Sequence, residues 1–308
     1  MLSRRNIRIK VMQILYSQSR DKELTYEQLK ARYNEGIESS FDLYLFNLIY
    51  LIHVARYSKN DLARRRAKHL PSEEDKNFTD KLWTNPLMQS MAESEGLTQL
   101  FDNHRLEKLL DKDIIRTIYT AFTKDEDYLA YLAEEEGKHK EVLLKLYKTC
   151  INHELFNEAM EDRYATWKDD KSLIVGTIKK TIKQMPTDHP FYEDYRPSDD
   201  TVVEFGEALL KDVFSRDEEL LEIIEPTLKN WDADRVAVID MILLKMALSE
   251  LMIFPTIPTK VTLNEFVEIS KTYSTEKSKD FINGILDRLM KKLNKEGKIK
   301  KEGRGLLE

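Results

Sequence analysis

Apolar residues recur at helical spacing along most of the chain, and that spacing constrains the fold more than any other feature. Ile7, Val11, Ile14 and Leu15 stand at i, i+4, i+7 and i+8, so they share one face of a first helix. Leu43, Phe46, Tyr50 and Val54 form a second stripe, and Val202, Phe205, Leu209, Val213 and Leu220 form another. Residues 106–122 and 142–160 also read as amphipathic helices. Only 9 Gly and 8 Pro occur in 308 residues, too few for the many turns of an all-β chain. The expectation is an all-α fold.

Punctuation along the chain supplies the boundaries. A polar stretch near residues 21–24 ends the first helix, and residues 26–33 suggest a second, shorter one. Pro186, Pro190 and Pro197 make 185–197 the best linker candidate, because proline blocks helix continuation. Pro226 and Trp231-Asp232 precede residues 236–253, whose polar positions are Asp240, Lys245 and Glu250, so that helix is expected to be mostly buried. Thr262 with Glu265 reads as a capping box, and Val261 with Phe266 as a hydrophobic staple. Ser274 or Thr275, with Glu276 in the first turn, starts a last helix running to about Leu293. Residues 294–308 carry Gly297, Gly303 and Gly305 and many lysines without apolar periodicity, which predicts a flexible tail.

Several chemistries lack the residues they need. A single cysteine, Cys150, forms no intrachain disulfide and no cysteine-rich zinc site, and fits a reducing compartment. Residues 1–10 hold no apolar signal stretch, and the longest apolar run, 43–52, is about half a bilayer span. The expected location is cytoplasmic, with no membrane contact. There is no phosphate loop and no glycine-rich dinucleotide turn. Cys150 and His153 lie one helical turn apart but have no marked third group. Glu136 and His139 make one Glu-x-x-His pair where a di-metal bundle needs two, and Glu134-Glu135-Glu136 reads as a solvated helix end. No metal, cofactor or catalytic residue is expected, and the chain is read as not an enzyme.

The net charge of −6 counts against nucleic acid until it is divided. Residues 1–20 hold Arg4, Arg5, Arg8, Lys10 and Arg20 with no acid, and residues 288–304 hold eight basic side chains against Glu296 and Glu302. About −17 is left for the rest, so two basic termini flank an acidic body. Arg4, Arg5 and Arg8 sit where the helix dipole disfavours cations. They mark either a solvated helix start or a phosphate-binding one.

Residues at both ends resemble one family. The opening Arg4-Arg5-Asn6-Ile7-Arg8, with Gln13, Leu15 and Tyr16, is similar to the start of the NusB family. So are Ile257-Pro258, Lys260-Val261, Asn264-Glu265, Val267-Glu268 and Lys271, followed by Thr275-Glu276-Lys277-Ser278 and Phe281-Ile282-Asn283-Gly284-Ile285-Leu286-Asp287. Lys277, Asp280, Asn6 and Ile7 depart from the pattern. The resemblance covers roughly 4–36 and 198–293.

That resemblance implies a bundle of two three-helix halves with extra inserted helices. The chain then divides into N-terminal helices (1–36), an inserted charged helical region with its Pro-rich linker (37–197), a C-terminal helical core (198–293) and a basic flexible tail (294–308). It also implies a non-catalytic transcription antitermination factor. Such a factor binds boxA-type nascent RNA together with the ribosomal protein NusE, joins an antitermination complex on RNA polymerase and supports ribosomal RNA synthesis. By position, Arg4, Arg5, Arg8, Lys10, Glu276, Lys277, Ser278 and Phe281 fall on the family's RNA-facing residues, and Tyr16 and Asp240 on its NusE-facing ones. Phe281 is otherwise a core residue, and Gly284 marks a close approach of either a helix or RNA. The rival reading is a helical scaffold for ribosomal or polymerase partners with little RNA affinity. NusB-like domains also precede RNA methyltransferase domains, but no residues remain here to build one.

Overall fold

The computed structural model describes residues 1–133, 138–228 and 236–306. Among these there is no strand, so the fold is all-α. The Glu134–136 cluster, Glu136 of the Glu-x-x-His pair and Trp231-Asp232 lie outside the described residues. No described helix is long and apolar enough to cross a membrane.

The chain forms two compact units. One comprises Glu38–Arg196 together with Met1, and the other Leu2–Ile37 with Pro197–Glu308. The terminal unit holds α1 (Arg4–Arg20) and the start of α2 (Tyr26–Arg66), whose remainder belongs to the inserted unit. The inserted unit continues with α3 (Glu73–Asn77), α4 (Pro86–Ala92), α5 (Glu95–Asn103), α6 (Lys112–Phe122), α7 (Glu126–Ala133), α8 (His139–Asn152), α9 (Glu154–Glu161) and α10 (Trp167–Gln184). The terminal unit resumes with a π-helical segment at Asp200–Glu207. It then adds α11 (Ala208–Ser215), α12 (Asp217–Ile224), α13 (Val238–Ile253), α14 (Thr259–Tyr273) and α15 (Ser278–Lys295).

The short helix expected at 26–33 is the beginning of the 41-residue α2. Leu29, Tyr33, Ile37 and Phe41 are buried at four-residue spacing, so the apolar stripe runs through Gly36 without a break in phase. Burying a continuous stripe outweighs the roughly 1 kcal/mol that a helical glycine costs.

The inserted unit has its own core. Leu43 to Ala55 of α2 lie at its centre, packed by α8, α9 and α10 residues such as Tyr147, Phe156, Trp167 and Ile178. The polar intruder Asn47 is satisfied, donating to the Leu43 carbonyl at 2.8 Å and accepting from the Tyr147 hydroxyl at 2.9 Å. Met185 and Phe191 are each 1% exposed in this core. The proline-rich stretch is therefore anchored to this core through Met185, Phe191 and Tyr192, and the unit boundary falls at its end, between Arg196 and Pro197.

In the terminal unit α13 is the central helix, buried from Ile242 to Leu251 and packed by α1, α11, α12, α14 and α15. Its polar side chains find partners across helices: Lys245 donates to Asp217 at 2.5 Å and Ser249 to Asp212 at 2.6 Å. Helix α1 begins with a capping box between Ser3 and Asn6.

Three expected local features differ. Helix α14 starts at Thr259 behind Pro258, not at Thr262. Thr262 instead donates to Glu250 at 2.8 Å, Glu265 pairs with Arg5, and Val261 is exposed while Phe266 is buried, so neither capping box nor staple forms. Helix α15 starts at Ser278, after Thr275-Glu276-Lys277 have formed a turn. The 294–308 stretch, expected to be flexible, is folded as far as it is described. Gly297 adopts φ +68°, and the amides of Gly297 and Lys298 donate to the carbonyls of Asn294 and Leu293. This Schellman turn reverses the chain. A short 3-10 turn at Gly303–Leu306 then lies against Pro255.

Candidate functional site

The basic start of α1 divides into exposed and buried members. Arg4 and Arg5 are exposed, and no acid stands in the first turn of the helix. The Arg4 guanidinium lies 5.5 Å from the Phe205 ring centroid. Arg5 donates to both carboxylate oxygens of Glu265 at 2.7 Å but keeps half its side chain in solvent.

Arg8 does not belong to this surface. It is 2% exposed and donates through two nitrogens to Glu250, each at 2.7 Å, with Glu265 at 3.7 Å. The Phe205 and Phe266 rings flank its guanidinium at 5.1 and 5.8 Å. A fork satisfied by a buried carboxylate is not available to a phosphate. Lys10, 5% exposed, is likewise inside the unit. Spacing puts Arg4 and Arg8 on adjacent turns, but Arg8 points to α13 and α14.

The second group of expected residues surrounds a groove of ≈ 740 Å³ lined by the α13 start, the 275–278 turn and α15. Glu276 and Lys277 are exposed on its rim, and Phe281 is half-buried in its wall. Ser278 is 2% exposed, so it acts as a brace beneath the turn. Its hydroxyl donates to Asp240 at 2.6 Å and accepts from the Thr275 amide at 3.2 Å. Asp240 is 5% exposed and its Oδ1 has no hydrogen-bond partner among the described residues. It therefore anchors the turn from the floor of the groove. Tyr16 of α1 is 41% exposed.

Gly284 lines the same groove. A Cβ there would meet only the Arg288 guanidinium, at 3.9 Å. Close helix packing is therefore not the reason for this glycine, whose open side faces the groove.

Charge links the two groups. Glu268 of α14 has its carboxyl pKa held down first by a hydrogen bond from Lys271 and further by the nearby charges of Arg5 and Lys279. The basic helix start and the groove belong to the same unit.

Other chemistries are not assembled. Cys150 is fully buried and its thiol is pushed up to about 12 by burial, so it is no nucleophile beside His153. His139 Nδ1 faces the Tyr131 hydroxyl at 3.0 Å. Among the described residues no cluster of His, Cys, Asp and Glu could hold a metal ion. The pattern missed Glu250, the partner that withdraws Arg8. The available signal was an acid near the end of an apolar helix, which requires a counter-charge when buried.

Comparison with known proteins identifies the family. The family model described as NusB family matches residues 176–291. The transcription antitermination protein NusB of Salinibacter ruber is 41% identical over 109 residues, 35% of this chain and 68% of that protein. Those of Chloroherpeton thalassium and Natranaerobius thermophilus are 43% identical over 79 residues and 46% over 74. These alignments cover 26% and 24% of this chain, and 37% and 53% of the two relatives. No solved structure matches. With a relative aligned over two thirds of its length at this identity, and an all-α unit built from both termini, the chain belongs to the NusB family.

Proposed function

We propose that this chain is a non-catalytic transcription antitermination factor of the cytoplasm that binds boxA-type nascent RNA together with NusE. In this reading it joins an antitermination complex on RNA polymerase and supports ribosomal RNA transcription. The observation that carries the reading is the pair Arg4 and Arg5, exposed at the positive end of α1 with no acid in its first turn. Cations held against the helix dipole gain from an anionic partner, and phosphate suits a guanidinium fork.

Phosphate contacts at Arg4 and Arg5 would position the strand, and the groove beside Phe281 would receive an unstacked base against an aromatic wall. The open face of Gly284 leaves room for that approach. Glu276 and Lys277 would border the base, while Ser278 and Asp240 hold the turn. Tyr16 is the exposed residue assigned to NusE.

The test is titration of labelled boxA-type RNA with and without NusE at several salt concentrations. The proposal expects NusE to tighten RNA binding, with RNA tightening NusE binding by the same factor. NusE capture without any RNA affinity would instead support a protein scaffold.

A further inference from the structure

We propose that the folded C-terminal arm, residues 296–306, is a second phosphate-binding element beside α1, with Lys300 and Arg304 contacting the single-stranded RNA that flanks boxA. The inference rests on the RNA reading above and extends it to residues beyond the matched 176–291.

Contacts within the terminal unit fix the arm in place. After the Schellman turn at Gly297, Lys301 Nζ donates to the Phe254 carbonyl at 3.0 Å and the Glu302 amide to the Pro255 carbonyl at 3.0 Å. Gly305 lies so close that a Cβ would sit 1.9 Å from the Pro255 oxygen, so only glycine allows the approach. Phe254 packs on Phe205 with centroids 4.9 Å apart, and Phe205 is the ring beneath Arg4 and Arg8. Lys301 also senses the charge of Glu250, the partner of Arg8. The arm is thus two aromatic rings away from the start of α1.

The charges divide by role. Lys301 is spent on the latch, and Lys298 pairs with Glu296 at 3.0 Å. Lys300 and Arg304 are exposed and no carboxylate is paired with them among the described residues. One large exposed apolar side chain, Leu306, stands on the arm, short of the apolar and aromatic centre that a protein partner needs. Fixed cations without such a centre fit a phosphate chain.

The experiment uses the full chain and two labelled single-stranded RNAs, boxA alone and boxA with extended flanks, titrated at several salt concentrations. Lys300→Gln/Arg304→Gln is expected to weaken binding of the flanked RNA about tenfold and to flatten its log–log salt slope by roughly 1.4, at about 0.7 for each phosphate no longer neutralised. Binding of the bare element should change less. Lys300→Arg/Arg304→Lys, which keeps charge, should bind like wild type. Wild-type affinity and slope in the Gln variant, with Arg4→Gln still weakened, would overturn the arm and leave the RNA reading standing. Failure of the wild-type chain to bind either RNA would overturn both.

Discussion

Arg8 and Glu250 form a two-bond ion pair, both contacts at 2.7 Å, with 2% and none of the respective side chains exposed. The pair ties α1 to α13, and Thr262 extends it to α14 through the same carboxylate. Removing one member of such a pair strands a charge. Arg8→Ala should therefore destabilise the terminal unit by about 3–5 kcal/mol. Arg8→Met combined with Glu250→Leu should recover most of that loss, because neither charge is then buried. Denaturant unfolding of the two variants checks both statements. A loss below about 1 kcal/mol for Arg8→Ala would contradict a structural role.

Arg4 behaves oppositely. It is exposed and makes no ion pair among the described residues, so Arg4→Glu should leave stability within about 0.5 kcal/mol of wild type. The same change should weaken boxA-type RNA binding and reduce its salt slope. Anisotropy titrations with a parallel unfolding curve separate the two effects. Equal RNA affinity in both proteins would remove Arg4 from the surface.

These two arginines show what could be read from sequence. Both lie in one basic run at a helix start, and periodicity places them on neighbouring turns. Arg8 is buried because its partner lies 242 positions away on a helix whose neighbours local spacing cannot name. The same limit explains Thr262: its spacing to Glu265 satisfies a capping rule, yet its hydroxyl serves Glu250 and the helix starts behind Pro258. The amphipathic helices were legible because burial follows their own repeat. The continuity of α2 was present in its unbroken stripe from Leu29 to Phe41, with Gly36 masking it, whereas the folding of 294–306 was not legible because it depends on the distant Phe254 and Pro255 carbonyls. Gly297 was the one local sign of the reversal after α15.

Ser278 and Asp240 give a prediction about the turn. Ser278→Ala removes the hydroxyl that donates to Asp240 Oδ2, whose other oxygen already lacks a partner. Leaving a buried carboxylate without its donor should cost about 1–3 kcal/mol. Hydrogen exchange should show faster opening at the 275–278 turn, while helices of the inserted unit keep their protection.

Alkaline pH should weaken the inserted unit. Burial raises the Cys150 thiol from 9.0 to about 12 in the folded state. Between these values the unfolded chain loses a proton that the folded chain retains, so stability present below pH 9 is lost as pH rises toward 12. Burial raises Tyr44, Tyr119 and Tyr147 as well, with the same sign. Melting temperature measured from about pH 8 to 11 should fall steadily. Iodoacetamide at about pH 8 should label Cys150 only when denaturant is added; rapid labelling of the native protein would contradict its burial.

Gly284 separates stability from recognition at a single position. It lies inside α15, where glycine costs about 1 kcal/mol relative to alanine, and a Cβ there meets nothing closer than 3.9 Å. Gly284→Ala should therefore raise the stability of the terminal unit by up to that amount. The added methyl group would project into the groove beside Phe281, so RNA affinity should fall even as the protein becomes harder to unfold. Unfolding and RNA titration on the same preparation test the pairing of these two signs. Higher stability with unchanged affinity would mean that RNA does not approach the open side of this helix.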